Sequence, residues 1–143
     1  MSERIRRRLE RIDETLKRLR EQASLGKPII VEGRNDILAL KELGVEGNFL
    51  PVKSSGWSFL YLTDNLVEKG VGEVILLLDF DRRGRESTRL LKRQLEKNHV
   101  KIDLSFWVDL NRSVGRDVKD IEGLITYVKG LKRRAGIQHS LYE

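Results

Sequence analysis

Two groups of acidic residues in this 143-residue chain have the types and spacing that suit binding of a divalent metal ion. Glu32 directly follows the apolar run 29–31. Asp79 and Asp81 directly follow a second apolar run, 74–78, and their spacing of two makes their side chains point the same way in an extended chain. Magnesium prefers oxygen ligands and needs only one or two carboxylates when water and substrate phosphates supply the rest. If the two runs are neighbouring strands, we expect the three carboxylates to address one ion, or two ions close together.

The same carboxylates suggest proton transfer. Clustered carboxylates repel one another, so the pKa of at least one rises unless metal or basic groups offset the repulsion. Such a shift would equip Glu32 for general acid–base catalysis. Gly33 and Gly84 let the backbone turn sharply and approach a ligand closely. Asn35 and Asp36 fall at the start of the next predicted helix, where their side chains can accept from free N–H groups.

Strands and helices that must position these motifs are predicted to alternate four times after an N-terminal helix. The strands are predicted over 29–31, 49–52, 73–78 and 102–108, and the helices over 35–43, 57–69, 85–97 and 120–134. The run 74–78 has no polar residue, which suits a strand covered on both faces. The alternation predicts an α/β fold with a mainly parallel sheet of about four strands and helices on both faces. Functional groups gather beyond the carboxyl ends of such strands, which is where both motifs fall.

Residues 3–22 are predicted to form an arginine-rich amphipathic helix. Its apolar stripe recurs at alternating spacings of four and three residues and consists of Ile5, Leu9, Ile12, Leu16 and Leu19. The stripe suits pairing with a second copy or a protein partner, and equally suits packing on the rest of the chain. We divide the chain into this basic amphipathic helix (1–26), an α/β domain (27–134) and a C-terminal tail (135–143).

The composition favours an anionic partner and excludes several kinds of site. Lysine and arginine number 28 against 22 acidic residues, and the net charge of +6 makes RNA or DNA the first candidate. A solvated, highly charged surface is the alternative. The absence of cysteine excludes disulfides, cysteine-ligated zinc and thiol catalysis, and two histidines are too few for a histidine-rich metal site. The chain has no apolar run that could span a membrane and no signal-peptide core, so we expect a cytoplasmic protein with no membrane partner.

Basic residues follow the second acidic motif at once. Arg82, Arg83 and Arg85 should lie near the predicted metal site, where guanidinium groups would bind substrate phosphates or stabilise the charge of the transition state.

Together the two motifs resemble the signature of the Toprim family. That signature is an apolar strand ending in Glu-Gly-x-x-Asp, followed by an apolar strand ending in Asp-x-Asp-x-x-Gly. Here the first motif is 32–36 and the second is 79–84, and Gly56 matches the glycine that the family carries between them. The resemblance covers roughly residues 27–130. It is closest to small stand-alone Toprim proteins similar to the ribonuclease that matures 5S ribosomal RNA, and to primase-type Toprim domains.

This resemblance implies a Rossmann-like Toprim fold and a site built on Mg²⁺ or Mn²⁺. Glu32 would be the general acid or base and a metal ligand, and Asp79 and Asp81 would hold the metal. A third acidic position is expected after the fourth strand. Its candidates are Asp117, Asp120 and Glu122, of which we favour the last two; capping of the final helix is the alternative role of Asp120. Gly33, Gly56 and Gly84 would be the structural glycines of the motifs.

Two functions remain open at this point. The first is hydrolysis of phosphodiester bonds in RNA or DNA by a metal-dependent nuclease or phosphotransferase. The second is a noncatalytic module that binds nucleic acid or assembles complexes in RNA maturation or DNA repair. The intact set of carboxylates favours the enzyme. The lack, in this chain, of the added domains of topoisomerases and primases favours the module.

Overall fold

The computed structural model describes residues 3–53 and 58–136 of the chain. The described part contains four strands, β1 (Ile29–Val31), β2 (Phe49–Pro51), β3 (Glu73–Leu77) and β4 (Lys101–Asp103). Its helices are α1 (Glu3–Ser24), α2 (Arg34–Glu42), α3 (Phe59–Glu68), α4 (Arg82–Lys97), α5 (Ser105–Val114) and α6 (Ile121–Arg134). None of these helices combines the length and apolar character needed to cross a bilayer.

The four strands form one parallel sheet in the order β2-β1-β3-β4. The two strands that precede the acidic motifs are therefore neighbours. Val31 at the end of β1 pairs with Leu77 at the end of β3, so the residues that follow both strands meet at one edge of the sheet. The predicted α/β fold with four parallel strands is confirmed.

Helices cover both faces of the sheet, as predicted. Alternate residues of β3 serve the two faces: Ile75 and Leu77 pack in a core with α1, α2, α5 and α6, whereas Val74 and Leu76 pack in a core with α3 and α4. Every residue of β1 is buried. The continuous apolar runs in the sequence thus reflect strands that are covered on both sides.

Helix α1 packs on the domain through its apolar stripe. Leu9, Ile12, Leu16 and Leu19 are buried at 0–5% exposure in the core that contains α5 and α6. A polar contact adds to this packing, because Arg18 Nη2 donates to Asp109 Oδ2 on α5 at 2.8 Å. Of the roles open to the stripe, packing on the domain is therefore the one the fold uses.

The predicted fourth strand over 102–108 is wrong in its second half, where the chain turns into α5. The Ser105 amide and hydroxyl both donate to Asp103 Oδ1, at 3.0 and 2.6 Å, directly after β4. Apolar residues alternate at 102, 104, 106 and 108, which mimics a strand. A helical period prevails because Trp107, Leu110 and Val114 join Phe106 in one buried face.

Helix α4 begins three residues earlier than predicted. Asp81 is its N-cap, and Gly84 N–H donates to Asp81 Oδ1 at 2.8 Å. The first turn of α4 lies tightly against the end of β3, since a Cβ atom on Gly84 would lie 2.1 Å from the backbone oxygen of Asp79. Only glycine fits this contact. Gly33 differs, because it has an extended φ of −153° and open space around it, and Gly56 lies outside the described residues.

Gly84→Ala should therefore destabilise the fold and displace Asp79. We expect a loss of about 1–3 kcal/mol or more in the free energy of unfolding, as for other overpacked sites. Urea denaturation would measure it. Gly33→Ala is the matched control in the other motif and should change the stability by less than about 0.5 kcal/mol. Equal stabilities of the two variants would contradict the close contact at Gly84.

Candidate metal site at the strand ends

A crevice of about 330 Å³ lies at the carboxyl ends of the strands. Five carboxylates and two cations line it, together with Gly33 and Asn35. The carboxylates are Glu32, Asp36, Asp79, Asp120 and Glu122, and the cations are Arg34 and Lys53. The local charge is therefore negative, although the whole chain is positive.

Glu32 and Asp79 meet in this crevice because β1 and β3 end side by side. The Asp79 backbone N–H donates to Glu32 Oε2 over 3.4 Å. The other carboxylate oxygen of Glu32 lies 3.7 Å from Lys53 Nζ, and the Glu32 side chain is only 14% exposed. Glu32 is thus partly buried between a backbone donor and a cation, next to a second carboxylate.

The expected rise in pKa falls on Asp79, where the pKa increases from 3.8 to about 7. Burial is the largest cause, and the negative charge of Glu32 follows it. Asp36, Asp120 and Asp81 add further repulsion. A cation in the crevice would relieve this repulsion and favour the ionised form of Asp79.

This shift predicts that the metal-free protein becomes less stable as the pH rises through 7. The folded state binds the Asp79 proton more tightly than the unfolded state does, so the contribution of this group is full below about pH 4 and is lost as the pH passes the folded pKa. In EDTA, the melting temperature should fall between about pH 5.5 and pH 8, and Asp79→Asn should flatten the curve. A wild-type melting temperature that rises over this interval would contradict the prediction.

Asp36 joins the two sides of the crevice. It is 6% exposed, and its carboxylate accepts from the Gly33 amide at 2.9 Å and from the Glu122 amide at 3.1 Å. The first bond closes the start of α2, as predicted. The second bond links residues 86 positions apart and was not predicted, because nothing local in the sequence signals it. Burial raises the pKa of Asp36, and the two backbone bonds oppose that rise.

Of the three candidates for a further acidic position, two line the crevice. Asp120 also caps α6, since its Oδ1 accepts from the Gly123 amide at 2.6 Å, so the capping alternative and a place in the crevice are both correct. Glu122 lies in the first turn of the same helix. Asp117 is directed elsewhere, with its Oδ2 3.3 Å from the Tyr127 hydroxyl.

Asp81 does not line the crevice with Asp79. Its carboxylate is exposed and caps α4, whereas Phe80 between the two aspartates is buried against Trp107 with the ring centroids 5.7 Å apart. Trp107 in turn donates its indole N–H to the backbone oxygen of Leu78 at 2.9 Å. The buried aromatic pair fixes the backbone on which both aspartates lie.

The arginines that were expected at the site lie beside it and do not line it. Arg82 pairs with Glu86 on the exposed face of α4, and Arg85 donates to the backbone oxygen of Phe80 at 3.4 Å. Arg83 is exposed as well. The lining cations are instead Arg34 and Lys53, which sequence reasoning missed. Arg34 directly follows Gly33 in the first motif, and that position was the available signal.

The donor set fits a hard divalent cation, although it is not a preformed cage. The acidic side chains that line the crevice offer carboxylate oxygens, which suit Mg²⁺ or Mn²⁺. Within residues 3–53 and 58–136, however, no three acidic or histidine side chains are close enough to form a ligand cluster. Magnesium retains several waters and is often held by one or two carboxylates. Glu32 and Asp79, which both line the crevice, would be such a pair.

Comparison with known proteins agrees with the fold and the motifs. A family model of the Toprim domain matches residues 27–106, which include both acidic motifs. The chain therefore belongs to the Toprim family. Membership associates it with a metal-dependent function related to nucleic acids, since Toprim domains generally bind Mg²⁺ through acidic residues.

Small archaeal proteins named UPF0292 protein are similar over most of their length. One from Methanosarcina acetivorans is 38% identical over 133 residues, 92% of this chain and 90% of the relative. One from Methanocaldococcus jannaschii is 36% identical over 119 residues, 83% and 91% of the two chains. A solved structure of a protein from Aquifex aeolicus has a TM-score of 0.64 at 29% identity and covers 76% of this chain and 94% of that one.

Proposed function

We propose that the protein is a metal-dependent nuclease that hydrolyses phosphodiester bonds of RNA or DNA. The observation that carries the proposal is the meeting of Glu32 and Asp79 in an open, carboxylate-lined crevice at the ends of two adjacent strands. A substrate phosphate can reach this crevice from solvent, and both carboxylates and cations line it. Mg²⁺ bound there would polarise the phosphate and stabilise the attacking and leaving oxygens.

Glu32 is proposed to move the proton of the reaction. The Glu32 carboxylate lies beside the backbone of Asp79 and the ammonium group of Lys53. These are the two residues that we expect on either side of a bound phosphate. Asp79, with its raised pKa, is proposed to hold the metal and to lose its proton when the cation binds. Asp120 and Glu122, at the start of α6, would bind the same cation directly or through water.

Lys53 and Arg34 are proposed to bind the scissile phosphate, because they are the cations that line the crevice. Asp36 would be a positioning residue, since its two backbone bonds hold the Glu32–Gly33 turn against the start of α6. We propose that Arg82, Arg83 and Arg85 bind phosphates outside the crevice, on the part of the nucleic-acid strand that enters or leaves it.

The experiment is incubation with single- and double-stranded RNA and DNA in Mg²⁺, in Mn²⁺ and in EDTA. We expect cleavage that needs the metal. Binding without cleavage under every condition would favour the second function, a noncatalytic module. The position of Asp81 favours the noncatalytic module, because Asp81 caps α4 and lies outside the crevice lining.

A further inference from the structure

A groove runs along one flank of α1, on the face of the sheet that α5 and α6 also cover. It consists of two cavities, one of about 800 Å³ bordered by α1 and α5 and one of about 380 Å³ bordered by α1 and α6. Arg7 lines the first cavity and its chain neighbour Arg8 lines the second, so both cavities reach the same turn of α1. We refer to them together as the α1 groove.

The α1 groove is positively charged, in contrast to the crevice. Among the described residues, seven arginines and four carboxylates line it, and five of the arginines belong to α1. With 3.6 residues per turn, positions 4, 7, 8, 11 and 18 lie within about 100° of the helix circumference. They therefore form one row, and Arg112 of α5 and Arg134 of α6 face it.

Part of this row is held in place by the fold. Arg8 Nη1 donates to the Tyr127 hydroxyl at 2.7 Å and lies 3.6 Å from Asp117 Oδ2. Arg7, Arg11 and Arg112 are exposed along the same groove. Fixed and exposed guanidinium groups side by side suit phosphate oxygens, which they can bind with two parallel hydrogen bonds.

The groove ends next to the crevice. Asp117, in its wall, precedes Asp120 of the crevice by three residues, a distance that the chain cannot extend beyond about 10 Å. The segment between them is tied to the second acidic motif, because the Phe80 amide donates to the Lys119 oxygen at 2.6 Å. Along α1 the arginine row spans about 21 Å, which matches roughly six phosphates of one strand of a duplex.

We propose that the α1 groove binds the sugar–phosphate backbone of a nucleic-acid duplex, independently of base sequence, and leads it to the carboxylate crevice. This rests on the proposed function in taking nucleic acid as the ligand. A duplex is favoured because the described lining of both cavities presents charged, polar and aliphatic side chains, which suit a phosphate backbone better than stacked single-stranded bases.

The test uses substitution, since removal of α1 would uncover its buried stripe. The groove variant carries Arg7→Gln and Arg11→Gln, and Arg112→Gln probes the opposite wall independently. The matched control carries Arg93→Gln and Lys97→Gln, two exposed cations near the end of α4 on the other face of the sheet. Binding to 20-base-pair duplexes of two unrelated sequences is measured by fluorescence anisotropy in EDTA over a range of salt concentrations, and melting temperatures verify folding.

We expect the groove variant to bind both sequences more weakly by the same factor and to reduce the slope of log affinity against log salt by about two, one for each phosphate contact. Arg112→Gln should reduce it by about one, and the control should leave it unchanged. The proposal would be overturned by wild-type salt slopes in both the groove variant and Arg112→Gln, or by an equal loss of affinity in the control. Tighter binding of single strands than of duplexes would overturn it as well. These binding measurements are made in EDTA and are independent of nuclease activity. Binding as expected here, together with no hydrolysis in the Mg²⁺ and Mn²⁺ incubations, would support the groove and overturn only the nuclease.

Discussion

Glu32→Gln is expected to lower the rate of metal-dependent phosphodiester cleavage by at least about two decades. General acid–base groups contribute about 100- to 10,000-fold in rate, and glutamine keeps the size of the side chain while it removes the charge and the exchangeable proton. Nucleic-acid affinity should change little, or rise, because a negative charge leaves a crevice that meets phosphate. Single-turnover kinetics with separate binding measurements would distinguish the two effects.

The Glu32 experiment needs a control for the loss of one negative charge. Glu46→Gln serves because Glu46 is exposed between α2 and β2 and is outside the crevice lining. Its turnover should equal that of the wild type. Cleavage that persists undiminished in Glu32→Gln would count against the catalytic role and would point to a contaminating nuclease. If the wild type binds but never cleaves, the variant can differ only in affinity, as a noncatalytic module requires.

The placement of Glu32 and Asp79 was predictable because it depends on local features and one topological rule. Each residue ends an apolar run, and the carboxyl ends of parallel strands share one edge of the sheet. The pairing of β1 with β3 then brings the two side chains together. The outline of the fold and the centre of the site therefore follow from patterns that are visible in the sequence.

The features of the site that were not predicted depend mostly on contacts between distant segments, which no local pattern encodes. Asp36 reaches Glu122 only because α2 packs beside α6. The spacing of Asp79 and Asp81 suggested one shared ion, but the extended geometry ends where Asp81 becomes the cap of α4. The helix then directs Arg82 and Arg85 away from the crevice. Lys53 follows β2 and approaches Glu32 from this neighbouring strand of the sheet.

Because Asp79 lines the crevice and Asp81 caps α4, we expect substitutions of the two residues to affect metal binding to different extents. Substitution of a residue that only supports a metal ligand typically weakens metal binding by about 10- to 100-fold. Asp79→Asn should weaken Mg²⁺ binding by more than this, because it removes a carboxylate of the crevice itself. Asp81→Asn should weaken it less, since asparagine caps a helix about as well as aspartate and the group lies outside the lining. The double variant should bind no measurable Mg²⁺ and keep its fold.

Isothermal titration with Mg²⁺ at about pH 8 tests these affinities, and thermal melts in EDTA test the accompanying change in stability. Asp79→Asn should raise the melting temperature of the metal-free protein, because it removes the charge that Glu32 repels. The carboxyl of Asp79 is only partly buried and solvent screens the repulsion, so we expect a gain of about 1–2 kcal/mol. Asp64→Asn, an exposed change on α3, controls for the lost charge. Unchanged Mg²⁺ affinity in the double variant would exclude both aspartates as ligands, whereas an equal loss in Asp79→Asn and Asp81→Asn would show that the cap of α4 opens to let Asp81 share the metal.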